Sequence, residues 1–159
     1  MATETERKFL VEGDGWRRGE CKTIRQGYLS TEKERVVRVR TMTQAPAGKT
    51  SAYLTIKGAT TGVSRAEYEY SIPIAEAEEL LDQLCQRPLI EKHRYTLNYQ
   101  GTTWEVDEFF GENQGLVIAE VELEQAGQSF AKPPWVGKEV SDDMRYQNAA
   151  LVQHPFSQW

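Results

Sequence analysis

Histidine and cysteine are scarce in this chain. His93 and His154 are the only two imidazoles, and Cys21 and Cys85 the only two thiols. Their spacing matches no metal-ligand pattern, which argues against a zinc site and against Cys/His catalysis. Two unpaired cysteines read as reduced thiols and predict a cytoplasmic protein. No apolar run approaches membrane-spanning length, and the first residues lack the hydrophobic stretch of a signal peptide, so no membrane association is expected. A Gly-rich phosphate loop is also missing: "KGATTG" at 57–62 lacks the Gly-Lys-Ser/Thr ending and reads as a turn. The charge balance is acidic, with a net charge of −5, which argues against a general nucleic-acid binder. At 159 residues, with 39% hydrophobic and 27% charged residues, the chain fits one globular domain spanning residues 1–159.

What the chain does have is two-residue alternation. The runs at about 4–11, 22–29, 35–42, 51–57, 64–72, 90–98, 102–109 and 116–124 alternate in strand fashion. Turn signals separate them: "GDG" at 13–15, "APAGK" at 45–49, "KGATTG", "QG" at 100–101 and "GENQG" at 111–115. "PIAEAEELLDQLC" (73–85) has helical spacing instead, with Ile74, Ala77, Leu80, Leu81 and Leu84 on one side. A second helix is predicted to start near Ser141 as N-cap and to run through "DDMRYQNAALV", while "KPPWVG" (132–137) reads as a rigid connector.

The alternation sorts the charges. One face of the strands carries Glu4, Glu6, Lys8, Arg38, Arg40, Lys57, Arg65, Glu67, Glu69, Lys92, Arg94, Glu105, Asp107, Glu120 and Glu122. The other carries apolar residues such as Val39, Leu54, Ile56, Trp104, Val106 and Val121. An antiparallel sheet with one wet face would give such a pattern. So would a closed barrel of about eight strands, whose interior holds one small ligand. The residue types favour the barrel. Arg and Glu dominate where an exposed sheet would also carry Ser, Thr, Asn and Gln. Eight carboxylates face seven cations on this side. Buried charges must be paired, hydrated or bound to ions. Carboxylates suit Mg²⁺ or Mn²⁺, and Lys and Arg suit phosphate oxygens. A site with both is one where metal ions bridge carboxylates to a polyphosphate.

The spacing Glu4-x-Glu6-x-Lys8 near the N-terminus resembles the signature of the CYTH superfamily, the triphosphate tunnel metalloenzymes. The resemblance continues in order through "RQGYL" (25–29), "VRVR" (37–40), "YLTIKG" (53–58), "SRAEYEY" (64–70), "IEKHRY" (90–95), "WEVDEF" (104–109), "AEVELE" (119–124) and "DDMRYQN" (142–148). It is nearest to the short bacterial members that hydrolyse inorganic triphosphate. It implies a mainly β (α+β) fold: a closed eight-stranded antiparallel β-barrel forming a tunnel, with two or three helices outside or capping it.

The activity it implies is hydrolysis of tripolyphosphate to pyrophosphate and phosphate with Mg²⁺ or Mn²⁺, by a monomer or homodimer whose partner is a small triphosphate. Within the resemblance, Glu4, Glu6, Asp107, Glu120 and Glu122 look like metal ligands. Lys8, Arg38, Arg40, Lys57, Lys92 and Arg94 look like phosphate clamps, Glu67 and Glu69 bind metal or orient cations, and Tyr28 with Lys57 activates water. Arg145, on the last predicted helix, either closes a tunnel end or is an exposed helical residue. Thiamine triphosphatase and adenylate cyclase share the triphosphate grip, so those activities stay open, with loops 41–50 and 110–115 setting organic selectivity. A non-catalytic polyphosphate- or nucleotide-binding module is the alternative of another class; it would not require the full carboxylate set.

Overall fold

A computed structural model describes residues 3–44 and 48–159. The strands are β1 (Thr3–Val11), β2 (Glu20–Ser30), β3 (Val36–Gln44), β4 (Thr50–Lys57), β5 (Ser64–Ser71), β6 (Ile90–Tyr99), β7 (Thr102–Phe109), β8 (Val117–Glu122) and β9 (Val136–Glu139). The helices are α1 (Ile74–Gln83) and α2 (Asn148–Gln153), with short 3₁₀ turns at Gly111–Asn113, Met144–Tyr146 and Phe156–Gln158. The first eight strands fall close to the predicted runs. Of the turn predicted at 45–49, residues 45–47 lie outside the described residues.

The strands pair antiparallel in the order β5-β4-β3-β2-β6-β7-β8-β1, and β1 returns to β5 to close an eight-stranded barrel. The closing seam is short. Thr3–Thr5 pair with β5, and further along the same edge of β1 is taken by β9, at Phe9 and Val11. The β6–β7 hairpin turns through Gln100 and Gly101, both with positive φ (49° and 84°), as a type I′ turn demands of "QG".

Two predictions at the C-terminal end need correcting. The last two residues of the expected connector 132–137 are strand, because Val136 onward adds to the free edge of β1. Ser141 does not cap a helix. Its hydroxyl accepts from the Lys8 backbone N–H (2.9 Å) and donates to Glu139 (2.6 Å). Asp143 instead caps the 3₁₀ turn at Met144–Tyr146, and α2 starts only at Asn148.

Strand alternation divides the core. Side chains pointing out of the barrel wall form one cluster around Phe9, Trp16, Trp104, Val106, Val121 and Trp135. A second, around Val39 and Ala52, is covered by Ala77 and Leu81 of α1. Gly27 lets Cys85 and Leu89, just after α1, approach β2: a Cβ there would come within 2.7 Å of both. The third cluster is inside the barrel. Tyr28, Ile90, Phe109 and Ile118 point inward and meet Leu151 and Val152 of α2. They fill one part of the interior, and the charged residues line the rest.

Candidate functional site

The interior contains a cavity of about 460 Å³. It is lined by Glu4, Glu6 and Lys8 of β1, Tyr28 of β2, Arg38 and Arg40 of β3, Lys57 of β4, Glu67 and Glu69 of β5, Lys92 and Arg94 of β6, Glu105 of β7, and Glu120 and Glu122 of β8. Seven of the eight strands of the closed sheet therefore contribute at least one charge to it. Every residue nominated from the sequence except Asp107 and Arg145 lines this space. Register accounts for the convergence: cross-strand partners share a face, and Lys8 pairs with Glu120, Glu120 with Glu105, Tyr28 with Arg38, and Lys57 with Glu67.

Asp107 lies beneath the cavity surface, fully buried. Its Oδ1 accepts from Arg94 Nε (2.8 Å), and its Oδ2 accepts from Arg94 Nη2 (2.9 Å) and Lys92 Nζ (2.8 Å). Burial alone would raise its pKa, but Arg94 and Lys92 outweigh this and hold the carboxyl at about 2. Burial pulls Lys92 down to about 7, with Asp107 opposing and Arg94 and Arg40 adding to the fall. Burial next to Arg38 and Arg94 likewise brings Arg40 down to about 9. Glu105 lies 3.4 Å from Arg94, and even so the corner concentrates more positive charge than Asp107 and Glu105 neutralise.

The opposite wall is held by lysines between carboxylates. Lys8 donates to Glu6 (2.9 Å) and Glu120 (3.2 Å), and Lys57 donates to both oxygens of Glu4 (3.0 and 2.8 Å) and lies 3.6 Å from Glu67. Burial would lower Lys8, but Glu120 and Glu6 keep it well above its ordinary value. Arg38 donates to Thr55 (3.2 Å) and lies 3.7 Å from Glu69. Its Nε is buried without a hydrogen-bond partner among the described residues. A buried guanidinium N–H left unpaired carries a desolvation penalty of about 1–3 kcal/mol that an anionic ligand would relieve.

The carboxylates have the complementary imbalance. Glu6 stands directly opposite Glu122, and Glu105 opposite Glu120. Like charges so placed destabilise a sheet unless a cation joins them. Glu122 forms no ion pair among the described residues, and its pKa is raised by burial and then by Glu4, Glu67 and Glu6. Among the described residues no three acidic groups converge into a ready-made metal cage, since Lys8 and Lys57 occupy the gaps. All the same, a set of hard oxygen donors with surplus negative charge fits Mg²⁺ or Mn²⁺.

The structure brings Tyr28 and Lys57 to one cavity but does not bond them to each other. Lys57 is engaged by Glu4, whereas the Tyr28 hydroxyl accepts from Gln26 Nε2 (3.3 Å) and lies beside Arg38. Burial raises the Tyr28 pKa, with Arg38, Arg40 and Lys8 opposing, so the phenol keeps its proton at neutral pH. Arg145 pairs with Asp143 (2.8 Å), lies over the Trp159 ring (4.5 Å), is half exposed, and does not line the cavity.

Sequence reasoning missed several polar residues in and behind the cavity wall, Gln26 and Asn148 among them. Gln26 shares the inward parity of Tyr28, and that parity was the available signal. Asn148 sits on a helix, where strand alternation says nothing.

A family model, the CYTH domain, matches residues 2–155. The inorganic triphosphatase of Acetivibrio thermocellus is 49% identical over 157 residues, covering 98% of this chain and 97% of that protein. The inorganic triphosphatase of Nitrosomonas europaea is 38% identical over 153 residues, covering 94% and 97%. The crystal structure of an inorganic triphosphatase superposes with a TM-score of 0.63 at 36% identity, covering 96% of this chain and 95% of that one.

Proposed function

Since this chain belongs to the CYTH domain family, we propose that it is a divalent-metal-dependent inorganic triphosphatase, cleaving tripolyphosphate to pyrophosphate and phosphate inside the barrel. The observation that carries this reading is the joint imbalance within one cavity. A cationic corner with a buried Arg38 Nε that has no partner among the described residues faces a carboxylate wall with surplus negative charge. A polyanion relieves the first and a divalent cation the second. The relatives named above support the substrate. The free thiols Cys21 and Cys85 fit a cytoplasmic location. None of the described helices is long and apolar enough to cross a membrane.

Arg38, Arg40, Lys92 and Arg94 hold the phosphate chain and stabilise the charge that develops on the transferred group. Lys8 and Lys57 contribute where they also order the carboxylates. Glu4, Glu6, Glu120 and Glu122 would hold Mg²⁺ or Mn²⁺, which would neutralise phosphate oxygens and lower the pKa of a water. Glu67 orients Lys57 and Glu69 orients Arg38. We assign Asp107 to orienting Lys92 and Arg94, because both its oxygens are already committed to them. Tyr28 retains its proton, so its role is to donate a hydrogen bond to the substrate beside Arg38. This differs from the water-activating pair with Lys57 that the resemblance implied.

The test is phosphate release from tripolyphosphate, ATP and thiamine triphosphate in Mg²⁺, Mn²⁺ or EDTA. Turnover of tripolyphosphate should exceed that of the organic triphosphates and vanish in EDTA. Binding without any phosphate release would show a non-catalytic polyphosphate module instead.

A further inference from the structure

Helix α2 places Asn148 and Gln153 on the cavity lining, and of the two it is Asn148 that reaches the buried cations. Asn148, its first residue, lines the cavity. Its Oδ1 accepts from Gln26 Nε2 at 2.9 Å and from Lys92 Nζ at 2.7 Å. Gln26 Nε2, whose direction Arg40 fixes, donates to the same atom as Lys92, so that atom must be the carbonyl oxygen. The orientation of the amide is thus dictated by the charge beside it. Among the described residues both hydrogen bonds of the side chain use Oδ1, which leaves the two N–H donors of Nδ2 for a ligand in the cavity.

The same logic fixes Gln26. This side chain is fully buried, and its Oε1 accepts from Arg40 Nε at 2.7 Å. A guanidinium cannot accept, so Nε2 must face the other way, toward Asn148 and the Tyr28 hydroxyl. Two neutral amides therefore connect the cations: Arg40 donates to Gln26, Gln26 and Lys92 donate to Asn148, and Lys92 and Arg94 donate to Asp107. Because the bridge is uncharged, α2 presents donors to the cavity without adding a negative group that would repel a polyanion.

We propose that Asn148 is a substrate-contacting residue of the triphosphatase: Nδ2 donates to a phosphate oxygen while Oδ1 keeps Lys92 aimed at the same group. The proposal rests on the reading of the cavity as a triphosphate site.

Asn148→Asp tests it. The variant keeps the side-chain size and the acceptor for Lys92 and Gln26, but turns an anionic oxygen toward the substrate in place of the donor. Two readouts apply. In steady-state hydrolysis of tripolyphosphate with Mg²⁺, KM should rise about tenfold or more, the scale of one lost charge-assisted contact, with a smaller change in kcat. In thermal unfolding in EDTA, the rise in Tm caused by tripolyphosphate should shrink, while the ligand-free Tm stays close to wild type. Asn148→Ala, which loses the donor without gaining a charge, should raise KM less than Asn148→Asp; it decides the matter if the aspartate variant does not fold.

A folded variant of either kind with wild-type KM and a wild-type tripolyphosphate shift overturns the contact and leaves Asn148 a structural residue of α2. The outcomes separate from those of the parent reading. A wild-type protein that is stabilised by tripolyphosphate but releases no phosphate refutes the triphosphatase, and the loss of stabilisation in Asn148→Asp would still uphold the contact.

Discussion

Asp107→Asn separates the two roles open to the most buried carboxylate of the site. The substitution keeps the shape and one acceptor but removes the charge that Lys92 and Arg94 share. Removing one partner of a buried ion pair destabilises by about 3–5 kcal/mol, because the remaining charge is left uncompensated. Here two cations are left, with Arg40 nearby. At this chain length each kcal/mol lowers Tm by roughly 2–4 °C, so a fall of about 10 °C or more is expected.

The acid limb gives a second measure. Asp107 is held at about 2 in the folded protein, below the roughly 3.9 of an unfolded aspartate. The unfolded chain therefore takes up the proton first. The stabilisation from Asp107 is complete above pH ~4 and fades between about pH 4 and pH 2, amounting to about 2.5 kcal/mol. Asn, which does not titrate, should flatten that part of the curve. The assay is thermal unfolding in EDTA across pH 2–7 for both proteins, with and without tripolyphosphate. The polyanion should restore part of the stability lost in Asp107→Asn, by supplying charge to Lys92 and Arg94. The reasoning fails if the variant unfolds within about 2 °C of wild type while its Mg²⁺ requirement rises steeply. Asp107 would then be a metal ligand, as the resemblance implied.

Arg38→Ala and Arg40→Ala should each cut kcat/KM at least about tenfold, the effect of losing one charge-assisted contact; wild-type kinetics in folded variants would place these side chains outside the reaction. Tyr28→Phe should lower kcat/KM by about tenfold with an unchanged pH profile, since it removes a donor. A loss of about 10²–10⁴-fold together with disappearance of an alkaline limb would make Tyr28 the general base after all. Calcium should support little turnover in place of Mg²⁺, because it takes longer bonds and more ligands than an octahedral site offers; full activity with calcium alone would contradict a site suited to Mg²⁺.

Much of this architecture was legible because a barrel wall obeys a period of two. The parity of Glu4, Glu6 and Lys8, continued through Arg38 and Arg40, Lys92 and Arg94, and Glu120 and Glu122, placed each of them in the cavity. Parity gives a face but not a depth. Asp107 shares the parity of Glu105, yet one lies under two cations with no exposure and the other reaches the cavity. Nor does it give the partners: Lys57 could have met Tyr28 and instead meets Glu4, a choice made by the β1–β5 seam, which sets β1 beside the strand that neighbours β4. Strand β9 was hidden because its four residues follow two prolines and gain stability only from an edge of β1 left free by the short seam. Asn148 was hidden because its role comes from where α2 docks, not from its neighbours in sequence.

The charges on the inner face of the barrel are proposed to bind triphosphate with a divalent metal and to hydrolyse it. The most direct test is a ³¹P NMR time course of tripolyphosphate with the wild-type protein in Mg²⁺ and in EDTA. The triphosphate signals should be replaced by pyrophosphate and phosphate in equal amounts in Mg²⁺ and should persist unchanged in EDTA. Conversion at the same rate in EDTA, or no conversion in Mg²⁺ or Mn²⁺, would contradict the proposal.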